Sequence, residues 1–216
     1  MFKKIIFTAI SILLIRYEAV SQNKWKEFKQ LSRPEKAWVI KHPFVAVKAS
    51  RISMLARKVA DSLITSAILD ADGNGGQVDA FRHAYWMAML SSEIGWRKAH
   101  SLGKAHEKGN FLDFKKHRNE DGSLPDKAAC DMDLWNNNTG INISLTYGKI
   151  SNDSLQKLVI SNILQGKMKI IRKNIKGEFL DKNFQLIPSD SLKGRWENAK
   201  VLDNSDKKGF LILRDL

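Results

Sequence analysis

The sequence predicts a mainly α-helical, single multi-helix domain with a small β-containing C-terminal tail. Apolar residues recur at intervals of three and four over most of residues 32–173, the spacing of helices with one buried face. Glycine and proline residues lie between these stretches, where helices are expected to begin and end. After Gly177 the spacing changes, and short apolar runs at 179–187 and 209–213 predict one or two small strands or an extended wrap. The predicted organisation is a signal peptide (1–21), a helical domain (22–175) and a C-terminal extension (176–216).

The N-terminus has the layout of a secretory signal. A basic start at Lys3–Lys4 precedes the apolar run Ile5–Ile15, and the small residues Ala19 and Ser21 follow. The run is shorter than the roughly 20 residues that span a bilayer as a helix. An uncleaved membrane anchor or a buried core helix remains the alternative. Cleavage after Ser21 predicts an exported protein, periplasmic or extracellular, that begins at Gln22.

Length and charge narrow the class of protein. The chain has 216 residues, enough for one domain with a core that needs no disulfide, and Cys130 is its only cysteine. Its formal net charge of +13 favours anionic partners such as nucleic acid, phosphorylated polymers or a membrane surface. Lysines spread along the chain carry most of this charge, so it is weak evidence for nucleic acid.

The first two predicted helices have clear boundaries. Ser32 and Glu35 form a capping box, and Pro34 suits the first turn of a helix. His42–Pro43 ends this helix. Pro43 also begins a longer helix, which is predicted to reach about Leu69 with one buried face.

Turn residues divide the rest of the chain. Asp70–Gly76 is rich in Asp, Asn and Gly and predicts a loop. Gly95, Gly109 and Gly140 predict the ends of three later helices, and Ser151 caps the last long one. The helices predicted after the loop cover residues 78–93, 96–107, 125–138 and 152–173.

The helix predicted after the loop carries polar residues among apolar ones. Asp79, His83, Trp86 and Leu90 share one face, and their neighbours are mostly apolar. The helix is therefore expected to be buried nearly all round. Buried Asp, Arg82 and His side chains must be satisfied by mutual pairing or by a metal.

Two further helices carry candidate partners for this one. His106–Glu107 lies near a helix end, and Asp133 and Asn137 share a face of the following helix. Two imidazoles and a carboxylate from three helices make a set of N and O ligands that suits a divalent transition metal, namely Zn, Mn or Fe. The predicted ligands are His83, His106 and Asp133, with Asp79 as a further ligand or orienting carboxylate.

These residues predict an exported metal-assisted hydrolase of an anionic substrate, with a phosphoester as the leading class. Glu107 is the predicted base for a metal-bound water, while Arg82 and Asn137 are predicted to hold the substrate's charged oxygens. One alternative is a non-catalytic exported envelope protein whose His/Asp cluster is a structural polar network. Another is a nuclease-like toxin domain, which the basic charge permits.

The combined motifs resemble an uncharacterised bacterial domain family, found in exported and wall-associated proteins and at the ends of some toxin-like chains. The resemblance rests on D-A-F-R-H-A-Y-W from Asp79, A-H-E from Ala105 and M-D-L-x-N-N-x-x-G from Met132, within residues 31–149. It implies a site but no reaction. Members often have a histidine where this chain has Trp135. The family positions carried over are Asp79, Arg82, His83, Trp86, His106, Glu107, Asp133, Asn136, Asn137 and Gly140.

The order of the site residues offers a second analogy. The series His83, His106–Glu107, Asp133 is similar to the signature of metal phosphohydrolases built on His, His-Asp and Asp. Glu107 stands where that signature has Asp, and the spacings are shorter. The analogy therefore supports the metal hypothesis without identifying the fold.

The loop before the buried helix resembles half of a calcium site. Asp70, Asp72 and Asn74 occupy the first oxygen-donor positions of a calcium loop, but Phe81 stands where the last donor should be a bidentate Glu. Asp79 could substitute for that donor. An ordinary turn that caps the next helix is the favoured interpretation.

Overall fold

Eight helices and two short strands make up the part of the chain that the computed structural model describes, residues 25–119 and 123–207. The mainly α prediction with a small β-containing tail is confirmed. The predicted signal peptide and the apolar run 209–213 lie outside the described residues. The elements are α1 (25–30), α2 (Arg33–Lys41), α3 (Pro43–Ile64), α4 (Gln77–Ile94), α5 (Trp96–Phe114), α6 (Lys127–Tyr147), α7 (Asn152–Leu164), β1 (Lys169–Ile171), α8 (Ser189–Leu192) and β2 (Leu202–Asn204).

Helix α2 begins as predicted. Ser32 Oγ accepts a hydrogen bond from the Glu35 N–H at 3.4 Å, and Glu35 Oε2 accepts one from the Ser32 N–H at 2.9 Å. The helix ends at Lys41, His42 is its C-cap, and α3 starts at Pro43. The predicted end of α3 near Leu69 is wrong, because α3 ends at Ile64. The hydroxyls of the next two residues bond back to helix carbonyls, which favours a turn over further helix.

Helix α4 is the centre of the fold and is buried nearly all round, as predicted. It packs against α3, α5, α6, α7 and β1. Phe81, Met87 and Leu90 are among its completely buried side chains. Asp79 and His83 lie in the same core. Polar groups on α4 are therefore fixed in position by packing on several sides.

Helix α5 does not stop at Gly109, contrary to the prediction, but continues to Phe114. A glycine inside a helix costs about 1 kcal/mol relative to alanine, so another constraint must favour it here. A Cβ at Gly109 would lie 2.5 Å from Ser32 Oγ. The glycine thus allows α5 to approach the first turn of α2.

Helix α6 likewise continues past Gly140, which was predicted as its end, and reaches Tyr147. A Cβ at Gly140 would lie 2.1 Å from the backbone oxygen of Ala84 on α4. Gly140 is therefore the contact point of the two helices. Their close approach brings the polar residues of α4 and α6 together.

The last long helix is shorter than predicted. Ser151 caps α7 as expected, but the helix ends at Leu164 and not near Lys173. Gly166 adopts a positive φ of 72°, and the Lys167 N–H bonds back to the Asn162 oxygen at 3.1 Å, which closes the helix end. The residues that follow form β1, which pairs antiparallel with β2. The predicted boundary at residue 175 therefore separates two strands of one sheet.

None of the described helices is both long enough and apolar enough to cross a membrane.

Candidate metal centre

Asp79, His83 and Asp133 meet in the core. Asp79 and His83 lie one turn apart on α4, and Asp133 faces them from α6. All three residues are buried, and each offers one ligand atom within 4.8 Å of the other two. The structure thus brings together three of the four predicted metal ligands. We call these three residues the triad.

The spacing of the triad fits one metal ion. His83 Nε2 lies 3.3 Å from Asp133 Oδ1 and 3.6 Å from Asp79 Oδ1. Ligand atoms 2.0–2.2 Å from a tetrahedral ion are separated from one another by roughly 3.3–3.6 Å. One imidazole and two carboxylates also suit Zn, Mn or Fe. At these distances the three atoms could hold one such ion.

Asn137 orients the imidazole of His83. Its Oδ1 lies 3.3 Å from His83 Nδ1, and because an amide oxygen only accepts, this contact is a hydrogen bond in the tautomer that carries the proton on Nδ1. The lone pair of Nε2 then faces the two carboxylates, and Nε2 has no hydrogen-bond partner among the described residues. A lone pair facing carboxylates is repulsive unless a cation lies between them. In this tautomer the three residues could hold a cation.

Burial also keeps His83 in the metal-binding form. Burial lowers the pKa of its imidazole well below the usual range, and the nearby positive charges of Arg82 and His106 lower it further. Metal ions bind the neutral imidazole. Asn137, predicted to hold substrate oxygens, lies instead in the interior against His83.

Two groups hold the Asp79 carboxylate. Its Oδ2 accepts a hydrogen bond from the Gly75 N–H at 2.7 Å, and its Oδ1 accepts one from Arg82 Nη2 at 2.5 Å. Its place in the first turn of α4 adds the favourable field of the helix N-terminus. Arg82, which was predicted to bind substrate, therefore also supports the triad through its bond to Asp79.

His106, the fourth predicted ligand, lies next to the triad but not in it. Its ring centre is 6.2 Å from that of His83, and its Nδ1 is 3.1 Å from Glu35 Oε1. Burial raises the pKa of the Glu35 carboxyl, but hydrogen bonds from His106 and Ser32 outweigh burial and leave the pKa lowered. The local sequence marks Glu35 only as part of the capping box. No local signal marks a contact across 71 residues.

Other motif residues have roles in packing. Glu107 is buried, and its Oε2 accepts a hydrogen bond from Asn110 Nδ2 at 3.2 Å. The Asn136 amide makes two hydrogen bonds of 2.9 Å with the backbone of Lys169 and so fixes β1 to α6. Trp135 is exposed on α6.

A cavity of about 490 Å³ is lined by Arg82, which bonds to Asp79, but by none of the three triad residues themselves. Arg82 and Trp86 of α4 form one wall, and His106 of α5 forms another. Arg57 of α3 adds a second guanidinium. Glu27 and Glu35 add acidic side chains to its wall, where Ser50 donates a hydrogen bond to Glu27 and His106 contacts Glu35.

A family model described as a domain of unknown function (DUF6973) matches residues 36–167. The chain belongs to this family. The DUF6973 segment contains the triad, His106 and both arginines of the cavity. It ends just before β1. The expected membership of an uncharacterised domain family is confirmed, and the description names no activity. No curated protein and no solved structure matches the chain.

The loop before α4 is not expected to bind calcium tightly. Lys173 Nζ lies 2.5 Å from Asp72 Oδ2 and 2.6 Å from the Asn74 carbonyl oxygen, so an internal ammonium already neutralises these donors. Phe81 also lacks the carboxylate that a calcium loop needs at this position. Titration calorimetry should detect no sub-micromolar calcium affinity. Such an affinity, abolished by Asp72→Ala, would contradict this prediction.

Proposed function

We propose that the protein is a metal-dependent hydrolase of an anionic substrate, with phosphoesters as the class that fits best. The observation that carries the proposal is the buried triad, whose spacing suits one metal ion, together with a cavity lined by two arginines, one of which bonds to Asp79. A bound transition metal would supply Lewis acidity and a hydroxide nucleophile at neutral pH.

The triad and its supports form the metal-binding part of the proposal. Asp79 and Asp133 would balance the charge of a divalent ion, and His83 Nε2 would complete a three-ligand set that leaves a position for water. Asn137 fixes the tautomer and orientation of the imidazole. Arg82 and the Gly75 N–H fix the Asp79 carboxylate in the same way.

The cavity forms the substrate-binding part. Arg57 and Arg82 line the cavity, and guanidinium groups pair well with phosphoryl oxygens. Arg82 Nη2 already bonds to Asp79, so other N–H groups of Arg82 would contact the substrate. We assign proton transfer to His106, because it lines the cavity and the Glu35 carboxylate supports its ring. Glu107, the predicted base, suits this task less well because it is buried and bonded to Asn110.

Hydrolysis of chromogenic phosphomonoesters and phosphodiesters by the metal-loaded protein tests the proposal. Arg57→Ala is expected to lower kcat/KM about tenfold or more, since hydrogen bonds to charged groups are worth about 1.5–3 kcal/mol. Arg51→Ala is the matched control, because Arg51 is exposed on the same helix but does not line this cavity. Equal effects of the two changes, or hydrolysis that survives Asp133→Asn, would refute the proposal.

The complete burial of His83 favours a second candidate, a non-catalytic protein whose triad is a structural polar network. In a structural network, the ring proton of His83 would lie on Nε2 and point toward Asp133 Oδ1, 3.3 Å away. A metal centre needs it on Nδ1, donated to Asn137. Nitrogen NMR of the His83 ring distinguishes the two tautomers in the metal-free protein.

We also propose that the protein is exported. The Lys3–Lys4 start, the Ile5–Ile15 run and the small residues Ala19 and Ser21 support cleavage near Ser21. Protein isolated from an exporting cell is expected to begin within a residue or two of Gln22, and intact mass measures this directly. A mass that retains Met1 would contradict export with cleavage.

A further inference from the structure

Several helix ends meet at one end of the molecule. Lys48, near the start of α3, places its Nζ 2.7 Å from Glu93 Oε2 in the last turn of α4. Lys149, which follows α6, forms an ion pair with the same carboxylate. Helix α5 starts at Trp96, directly after α4, and α2 ends where α3 begins. These contacts place the ends of α2, α4 and α6 beside the starts of α3 and α5.

Large apolar side chains are exposed at this end. Phe44 is 99% exposed and Ile40 is 71% exposed, and Phe44 is the most exposed large apolar side chain in the described part of the chain. Aromatic residues with one polar edge, such as Trp and Tyr, are enriched where proteins meet the bilayer interface. We call this set of exposed side chains the helix-end patch. It consists of Ile40, Phe44, Val47, Trp96, Leu145 and Tyr147.

Exposed basic residues lie near the same helix ends as the helix-end patch. The exposed basic residues at these helix ends are Lys41, Lys48, Arg51, Arg97, Lys98 and Lys149. Hydrogen bonds from Lys149 and Lys48 lower the pKa of the Glu93 carboxyl to about 2, so it stays ionised and bound to them. Asp153, the acidic residue at the start of α7, is paired with Lys157 at 2.8 Å. The end as a whole therefore carries excess positive charge.

We infer that the helix-end patch docks on the surface of an anionic lipid bilayer. Apolar side chains would enter the boundary between headgroups and acyl chains, while the nearby lysines and arginines contact lipid phosphates. The charge argues against a second copy of the chain as the partner, because a symmetric contact would bring like charges together. A groove of about 300 Å³ provides room for a headgroup; Lys48, Arg51 and Lys149 line it together with Glu93, the carboxylate that pairs with both lysines.

Co-sedimentation with vesicles tests the inference. The parent chain is expected to bind vesicles of phosphatidylglycerol and phosphatidylcholine, with binding weakened by salt, and not vesicles of phosphatidylcholine alone. Phe44→Ser combined with Ile40→Ser should weaken binding about tenfold or more, because both side chains lose apolar burial. Both residues are exposed, so the fold is expected to be unaffected, and circular dichroism checks this.

Ile175→Ser is the matched control. Ile175 is 69% exposed. It lies two residues from Lys173, which bonds to the loop before α4. It is therefore near the start of α4, whereas the helix-end patch is near the end of α4. The N-terminal residues are identical in all variants, so differences between variants report the patch alone. Equal losses in the control and the double variant would overturn the inference, as would equal binding to both vesicle types. A dimer in light scattering that Phe44→Ser dissociates would assign the patch to a second copy instead.

Discussion

Asp133→Asn is expected to abolish transition-metal binding and to leave the metal-free protein at least as stable as the parent. The triad places two buried carboxylates around one neutral imidazole, and the Arg82 guanidinium pairs with Asp79. The two carboxylates still repel each other, and a bound metal ion would offset that repulsion. Asparagine keeps the shape of the side chain and removes one charge. Saturating metal should raise the parent's free energy of unfolding by about 4 kcal/mol at a thousandfold excess over Kd, and should not affect the variant.

Asp203→Asn provides the matched control. Asp203 is also buried, but its carboxylate pairs with the Arg172 guanidinium through two contacts of 2.8 Å. Removing that charge leaves a half-buried cation without its partner, so unfolding free energy should fall by up to about 3–5 kcal/mol. Metal binding should not change. If Asp133→Asn destabilises the apo protein as much as Asp203→Asn does, the triad is a structural network.

Gly140→Ala is expected to destabilise the fold by about 3 kcal/mol or more. The added Cβ would lie 2.1 Å from the Ala84 backbone oxygen, and backbone inside a packed helix cannot shift as a side chain can. The sign of the change in unfolding free energy is informative. Gly→Ala inside an exposed helix stabilises by about 1 kcal/mol, so a loss of stability would show that the added Cβ meets a packed neighbour. Urea unfolding measures the difference.

Gly103→Ala is the control for this prediction. Its Cβ would lie 3.2 Å from Asn137 Nδ2 and 3.3 Å from Met87 Cε, atoms at the ends of side chains that can move by a few tenths of an ångström. Its effect should therefore be much smaller than that of Gly140→Ala. A stabilising Gly140→Ala would show that α4 and α6 do not pack through this residue.

Local chemistry was sufficient to predict some elements of the fold. Ser32 and Glu35 form their capping box through contacts three residues apart, and the sequence shows both. The burial of α4 follows equally from its apolar composition. Gly109 and Gly140 resemble helix ends in the sequence, but each allows close contact with a neighbouring helix, which the local sequence does not reveal. The strand β1 was missed since its partner lies more than thirty residues later.

The sequence likewise predicts part of the candidate site, namely the triad, but not the contact between His106 and Glu35. Asp79 and His83 share a face by helical spacing, and the motif around Asp133 marked the third member of the triad. The pairing of His106 with Glu35 depends on the packing of α2 against α5. No spacing in the sequence encodes it.

Metal content tests the central claim most directly. The protein should be purified without chelators and without a metal-affinity column, and then analysed by inductively coupled plasma mass spectrometry. We expect about one equivalent of Zn, Mn or Fe per chain, as a three-ligand site for one ion requires, and none in Asp133→Asn. A parent chain that contains no transition metal, and binds none on titration, would contradict the metal centre.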